Sequence, residues 1–223
     1  MKKLASGFLC GSALCLALPA AAATLTYDSN VGDTRTNWTN TMSLQQFDPA
    51  LGALQSVTLT LSGGVKGQAN AENLDTTPAT VMLDLSALFS ATTGGASAVT
   101  IETFPVIDMT YDLGAFDGGI DFAGDSGVKS GEIQATQAET ATLVSSLDQF
   151  VGLGTIDFVV SALGASNGSG AGNLVTQFNT SASALLSVAY EYEPAISPVP
   201  LPASAPLLLG GLGLFSALRR RKA

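Results

Sequence analysis

Four stretches of this chain alternate apolar and polar residues with a period of two: Ser56–Leu61, Thr80–Leu85, Gly154–Val159 and Leu186–Tyr192. Successive side chains of an extended strand point to opposite faces, so each stretch lays its large residues on one side and its hydroxyls and carboxylates on the other. A helix would scatter the same residues around its circumference. Between them lie Ser62-Gly63-Gly64, Thr93-Gly94-Gly95, Asp117-Gly118-Gly119 and Asn167-Gly168-Ser169-Gly170, which read as turns. The pattern predicts an all-β body, a jelly roll-like β-sandwich of about nine to eleven strands. The best helical stretch, Gln137 to Phe150, is weakened by Thr140, Thr142 and Val144.

The two ends read differently from the body. Met1-Lys2-Lys3, the apolar run Leu4 to Leu18, Pro19 and Ala20-Ala21-Ala22-Ala23 have the order of a secretory signal peptide over residues 1–23. Ala21 and Ala23 supply the small-residue site for signal peptidase, placing the mature start near Thr24. The apolar run is short of the about 20 residues that a spanning helix needs. Cys10 and Cys15 both lie inside this segment, each preceded by leucine (Leu9, Leu14) where a lipoprotein needs a small residue. An exported body without cysteine has no disulfides to hold it and relies on burial and hydrogen bonding.

Residues 194–223 carry three parts in order: the proline-rich Pro198 to Ser204, the apolar Pro206 to Leu218, and Arg219-Arg220-Arg221-Lys222. As a helix, Leu207 to Leu218 would reach about 18 Å against a hydrocarbon core of about 30 Å. Pro200, Pro202 and Pro206 keep the preceding residues from extending it. The basic cluster is expected to stay cytoplasmic, with the body on the other side. So short a transmembrane helix, ended by charge, fits a transient stop that awaits a processing enzyme.

Val199-Pro200-Leu201-Pro202-Ala203, followed by an apolar segment and a terminal Arg cluster, resembles the VPLPA-CTERM sorting signal, a variant of the PEP-CTERM signals of Gram-negative bacteria. That resemblance implies export through the inner membrane, transient anchoring, recognition by a membrane-embedded exosortase and delivery to the cell surface or extracellular polymer. Leu201-Pro202-Ala203-Ser204-Ala205 lacks the Thr-Gly pair of an LPxTG sortase signal.

Charge enters once the ends are set aside. The whole chain has 9 Lys and Arg, 18 Asp and Glu and no His. All 18 acids fall between Thr24 and Glu193 with only the 3 bases Arg35, Lys66 and Lys129, so 3 minus 18 leaves the body at −15. Such a surface is repelled by nucleic acid and by anionic membranes. Without His, Ser-His-Asp and Cys-His catalysis and histidine metal sites are excluded.

Within the body, Gln46-Phe47-Asp48-Pro49-Ala50-Leu51-Gly52-Ala53-Leu54-Gln55-Ser56-Val57 is similar to the opening of the choice-of-anchor E domain, F-D-P-x-L-G-x-L-x-x-V. Asp117-Gly118-Gly119-Ile120-Asp121-Phe122-Ala123-Gly124-Asp125-Ser126-Gly127 resembles that family's second stretch, D-G-x-x-D-F-x-G-x-S-G, with Asp125 where small residues or Pro are common. The resemblance implies a domain over most of residues 24–193 that occurs with differing C-terminal anchors, and it implies no molecular function. Read from its residues, Asp48-Pro49-x-Leu51-Gly52 has the makings of a turn: Asp can bond its own backbone, Pro presets φ and Gly accepts a positive one. Phe47 and Leu54 would then pack on the core.

Asp108, Asp112, Asp117, Asp121 and Asp125, interleaved with glycines, could gather oxygen ligands for Ca²⁺, although the EF-hand spacing is absent. The alternative is that these are turn and solvent-face aspartates in an acidic protein. Trp38 could stack on a carbohydrate, or pack partly buried beside a strand. Carboxylate pairs could also hydrolyse a glycoside, but the chain is poor in aromatic platforms, with 1 Trp and 4 Tyr. The leading expectation is a non-enzymatic surface or matrix protein that needs no cofactor and is associated with exopolysaccharide. The alternative is a calcium- or carbohydrate-binding β-sandwich module.

Overall fold

The computed structural model describes residues 22–95 and 97–195. Ala21, the sorting motif Val199, Pro200, Leu201, Pro202 and Ala203, and the basic stop Arg219, Arg220, Arg221 and Lys222 lie outside the described residues, as does most of the signal segment. Ala23 opens the first strand. Among the described residues no helix is long and apolar enough to cross a membrane.

Among the described residues eleven strands follow in order: β1 (Ala23–Arg35), β2 (Trp38–Gln45), β3 (Gly52–Asn73), β4 (Ala79–Thr93), β5 (Thr100–Thr103), β6 (Val106–Leu113), β7 (Gly127–Lys129), β8 (Ile133–Leu143), β9 (Thr155–Gly164), β10 (Asn167–Ser169) and β11 (Leu174–Pro194). They form two antiparallel sheets, a β-sandwich. In one, β3 pairs with β11 from Gly52↔Pro194 to Asn73↔Leu174, β1 covers the outer side of β11, and β7 and β8 share the far side of β3. In the other, β4 is flanked by β5 and β6 on one side and by β9 and β10 on the other, with β2 beyond β9.

All four alternating stretches lie in strands, in β3, β4, β11 and, from Thr155, β9. Their apolar residues face inward: Val57, Leu59, Leu61, Val81, Leu83, Leu85, Leu186 and Val188 are all buried. Trp38, Ala162 and Phe89 lie in one row across β2, β9 and β4. The small Ala162 lets the two rings meet edge to face at 6.3 Å between centroids.

Three expectations fail locally. Ser62-Gly63-Gly64 is not a turn but lies inside β3, because Gly63 receives the ring of Phe89 from the opposite sheet: a Cβ there would sit 2.5 Å from Phe89 Cδ2. Asn167-Gly168-Ser169 is β10, and the chain turns only at Gly170, with φ +118. The helix expected from Gln137 to Phe150 is strand up to Leu143, and only Leu147–Phe150 makes a 3-10 turn. Here pairing overrides local preference, with Thr140 and Thr142 meeting Thr60 and Thr58 hydroxyl to hydroxyl at 3.2 and 3.1 Å.

Candidate functional site

The Phe47–Gly52 stretch closes one end of the sandwich. Asp48 Oδ1 accepts the amide of Ala50 at 2.8 Å, and Pro49–Leu51 makes a 3-10 turn. Phe47 is buried against Tyr190 and Tyr192, with centroids 5.9 and 5.1 Å away. The Tyr190 hydroxyl donates to Gln45 O at 2.8 Å, and burial, helped by nearby Tyr27, raises its pKa above the ordinary tyrosine range. A Cβ on Gly52 would strike Glu193 O, so glycine is needed where β11 passes. The turn read from sequence is present, and it is used for packing.

The second stretch, Asp117–Gly127, folds over the far end of β3. Glu72 lies on the outer side of β3, fully buried, and its carboxylate is held by two donors: Ser126 Oγ at 2.6 Å and the amide of Phe122 at 2.7 Å. Burying a carboxylate is costly unless such donors replace water. Phe122 takes a positive φ of 54° to present its amide, and a Cβ on Gly127 would sit 2.6 Å from Glu72 Oε2. Asn73 extends the clamp through Nδ2 to Gly114 O (2.8 Å) and Thr77 O (2.9 Å). Sequence reading missed Glu72, which lies far from the loop along the chain.

The five aspartates are not drawn to one point. Asp112 accepts from Thr80 Oγ1 at 2.7 Å, whereas Asp108 lies opposite Asp84. Asp117 and Asp121 accept the amides of Gly119 (3.1 Å) and Ala123 (2.9 Å), two residues on in each case. The backbone carbonyl of Asp125 accepts from Gly114. Among the described residues no three Asp, Glu, Cys or His side chains are placed to share a metal ion. Trp38 is 9% exposed and its Nε1 donates to Ala182 O at 3.2 Å across the sandwich. Its ring therefore belongs to the core, and the carbohydrate-stacking role expected of it has no exposed face to act through.

A different place gathers polar chemistry. On the outer face of the β1–β11–β3 sheet an open hollow of about 740 Å³ is bordered by Arg35, Lys66, Gln68, Asn70, Gln177 and Asn179. Asp33 and Glu132 complete its charges, with Lys66 Nζ 3.1 Å from Glu132 Oε1. Asn70, itself 9% exposed, donates from Nδ2 to Gln177 Oε1 at 3.0 Å, and its Oδ1 has no hydrogen-bond partner. A second hollow of about 450 Å³, edged by Asp28, Asn30, Ser62, Thr136 and Ser183, shares Asp33 with the first. Sequence reading singled out Arg35, Lys66 and Lys129 as the only bases. The strand register puts them on one face, through Arg35↔Ser181↔Lys66 and Asn70↔Lys129.

No family model and no curated protein matches the chain. Among solved structures, the infectious bursal disease virus VP2 subviral particle is similar over 78% of this chain and 38% of its own, at 13% identity and a TM-score of 0.21. The Gx strain of the same virus is similar over 79% and 37%, at 11% identity and a TM-score of 0.16. The chain thus spans less than two fifths of the length of these viral chains, and a likeness this slight says nothing of what it does.

Proposed function

We propose that this chain is an exported, non-enzymatic cell-surface or extracellular-matrix protein. Secretion machinery and signal peptidase remove residues 1–23, residues 194–223 hold the chain briefly at the inner membrane of a Gram-negative cell, and an exosortase-type enzyme releases it towards exopolysaccharide.

The observation that carries this reading is attachment at a single pole. Thr24 pairs with Glu191, and the amide of Ala195 donates to Leu51 O at 2.9 Å, so the body's first strand begins and β11 ends side by side. Both export segments would therefore join the body at one end. The outer hollow beside Asn70 lies about 50 Å further along β3 at about 3.3 Å per residue. A tethered body of this shape presents its far end to the surroundings.

The sheet orders support a jelly roll. With β5 and β6, β7 and β8, and β9 and β10 each counted as one interrupted strand, each sheet has four strands. The orders become β1, β11, β3, β7–β8 and β2, β9–β10, β4, β5–β6, the eight-strand, two-sheet arrangement of that fold. The residues of both motif stretches are engaged in holding the ends of this sandwich, which favours a structural role for them over a catalytic one.

Intact mass of the exported protein tests the reading. A chain beginning near Thr24 and ending before Leu207 is expected, whereas one that retains Arg219 to Lys222 overturns the processing step.

A further inference from the structure

We infer that the two abutting hollows on the outer face of the β1–β11–β3 sheet form one groove that binds a neutral polysaccharide chain. This goes beyond the surface-protein reading by naming a site and a ligand class, and it does not depend on how the tail is processed.

The chemistry of the walls selects the ligand. The exposed Gln68 and Asn179 each offer a carbonyl acceptor and an NH₂ donor, Gln177 keeps its NH₂ while its Oε1 accepts from Asn70, and Ser181, which donates to Lys66 O, adds a hydroxyl acceptor. A sugar hydroxyl likewise both donates and accepts, so such walls match it at either end. Across the two hollows Arg35 and Lys66 stand against Asp28, Asp33 and Glu132, a surplus of one carboxylate, so the groove has no net positive charge to select an anion and too near a balance to hold a cation. Phe178, although it borders the first hollow, packs on the core, so that hollow is walled by polar groups, while Val31 and the exposed Leu185 edge the second and offer apolar contact to the CH faces of a sugar ring.

Form points the same way. The larger hollow falls within the about 300–1,000 Å³ usual for ligand sites. It is an open groove, and the second hollow continues it along the strands, which suits a chain running through better than a small enclosed molecule. The floor is built and has capacity to spare: Asn70 is nine-tenths buried with an unpartnered Oδ1. A buried polar atom left unpartnered in a native protein calls for an explanation, and ligand or ligand-bound water is the one its position offers. The three bases of the body all lie on this face, Arg35 and Lys66 at the groove and Lys129 opposite Asn70, which offsets most of the acidity there.

Affinity electrophoresis of the full chain tests the inference, in native gels cast with dextran, mannan or mixed-linkage β-glucan, and with alginate as the polyanion. Retardation in at least one neutral gel and none in alginate is expected. The double variant Gln68→Ala, Asn179→Ala, both exposed positions, is expected to raise the apparent Kd at least tenfold with an unchanged circular dichroism spectrum. Arg35→Gln serves as the second groove variant should that pair fail to fold, with the same loss expected. Thr58→Ala, on the same face away from both hollows, is expected to bind as the parent does. No retardation in any neutral gel, retardation in alginate alone, or undiminished retardation of a folded groove variant would each overturn the proposal.

Discussion

At the scale of single residues, Gly63 shows how a local signal misleads. Two adjacent glycines after a serine look like a turn, yet the chain runs straight through them because Phe89 needs the room. Nothing near Gly63 in the sequence announces this, since its partner lies in another strand of another sheet. Trp38 backs the Phe89 ring from the side, so the ring has little freedom to retreat. Gly63→Ala is expected to destabilise the body by about 1–3 kcal/mol through overpacking. Urea denaturation followed by the fluorescence of Trp38 measures it, and Phe89→Leu in the Gly63→Ala background is expected to recover part of the loss. Tyr190 makes a second prediction. Its pKa is raised by burial above the ordinary tyrosine value of about 10, so the unfolded chain releases this proton at a lower pH than the native chain does. The stabilisation is complete below pH 10 and is lost as pH rises from there through the folded pKa, at up to about 1.4 kcal/mol per pH unit. Tyr190→Phe is expected to flatten the alkaline fall in urea midpoint while lowering the midpoint at neutral pH, where the bond to Gln45 O is gone.

At the scale of elements, strand content was legible and strand continuity was not. The inward rows of β3, β4, β9 and β11 follow from alternation alone. The breaks in their partners depend on single side chains. Pro105, which has no N–H to give, separates β5 from β6, and Ser166 Oγ takes the amide of Ser86 at 3.0 Å where β9 gives way to β10. Ser130 Oγ does the same for Ala69, also at 3.0 Å, just after β7. A hydroxyl stands in for a missing ladder carbonyl in both cases, keeping a backbone donor satisfied. The acidic stretch is likewise explained by its strands: Asp108 faces Asp84 directly across β6 and β4. Like charges in that relation are destabilising, so Asp108→Asn is expected to stabilise the body by about 0.2–1 kcal/mol. Thermal melts at low and high salt check this, with the gain shrinking as salt screens the pair. A loss of stability would mean that the carboxylate of Asp108 has a partner worth more than the repulsion.

At the scale of the whole molecule, the sequence carried the sheet class but no sign of which strands are neighbours. The pairing of β1 with β11 joins the two ends of the body, and alternation is silent about such distant partners. The site was less legible still: the groove takes its walls from three strands, and each of its residues alone is an ordinary surface amide, hydroxyl or charge. What the sequence did contain was the charge imbalance, 18 acids against 3 bases between Thr24 and Glu193. Two effects of opposite sign follow from it. Added salt screens the repulsion among the acids and so stabilises the compact body, but it also weakens favourable ion pairs. The geometry decides between them. Among the described residues one ion pair is formed, Lys66 with Glu132, and its side chains are 36% and 66% exposed. Exposed pairs contribute about 0–1 kcal/mol, so little is lost when it is screened. The repulsive term therefore wins, and the melting temperature is expected to rise as NaCl goes from about 10 mM to about 150 mM, shortening the Debye length from about 30 to about 8 Å. Each about 1 kcal/mol of relieved repulsion corresponds to about 2–4 °C for a body of this size. Differential scanning calorimetry at constant pH measures it. A melting temperature that falls over this range would mean that attractive pairs, not the surplus of carboxylates, govern the electrostatics of the folded state.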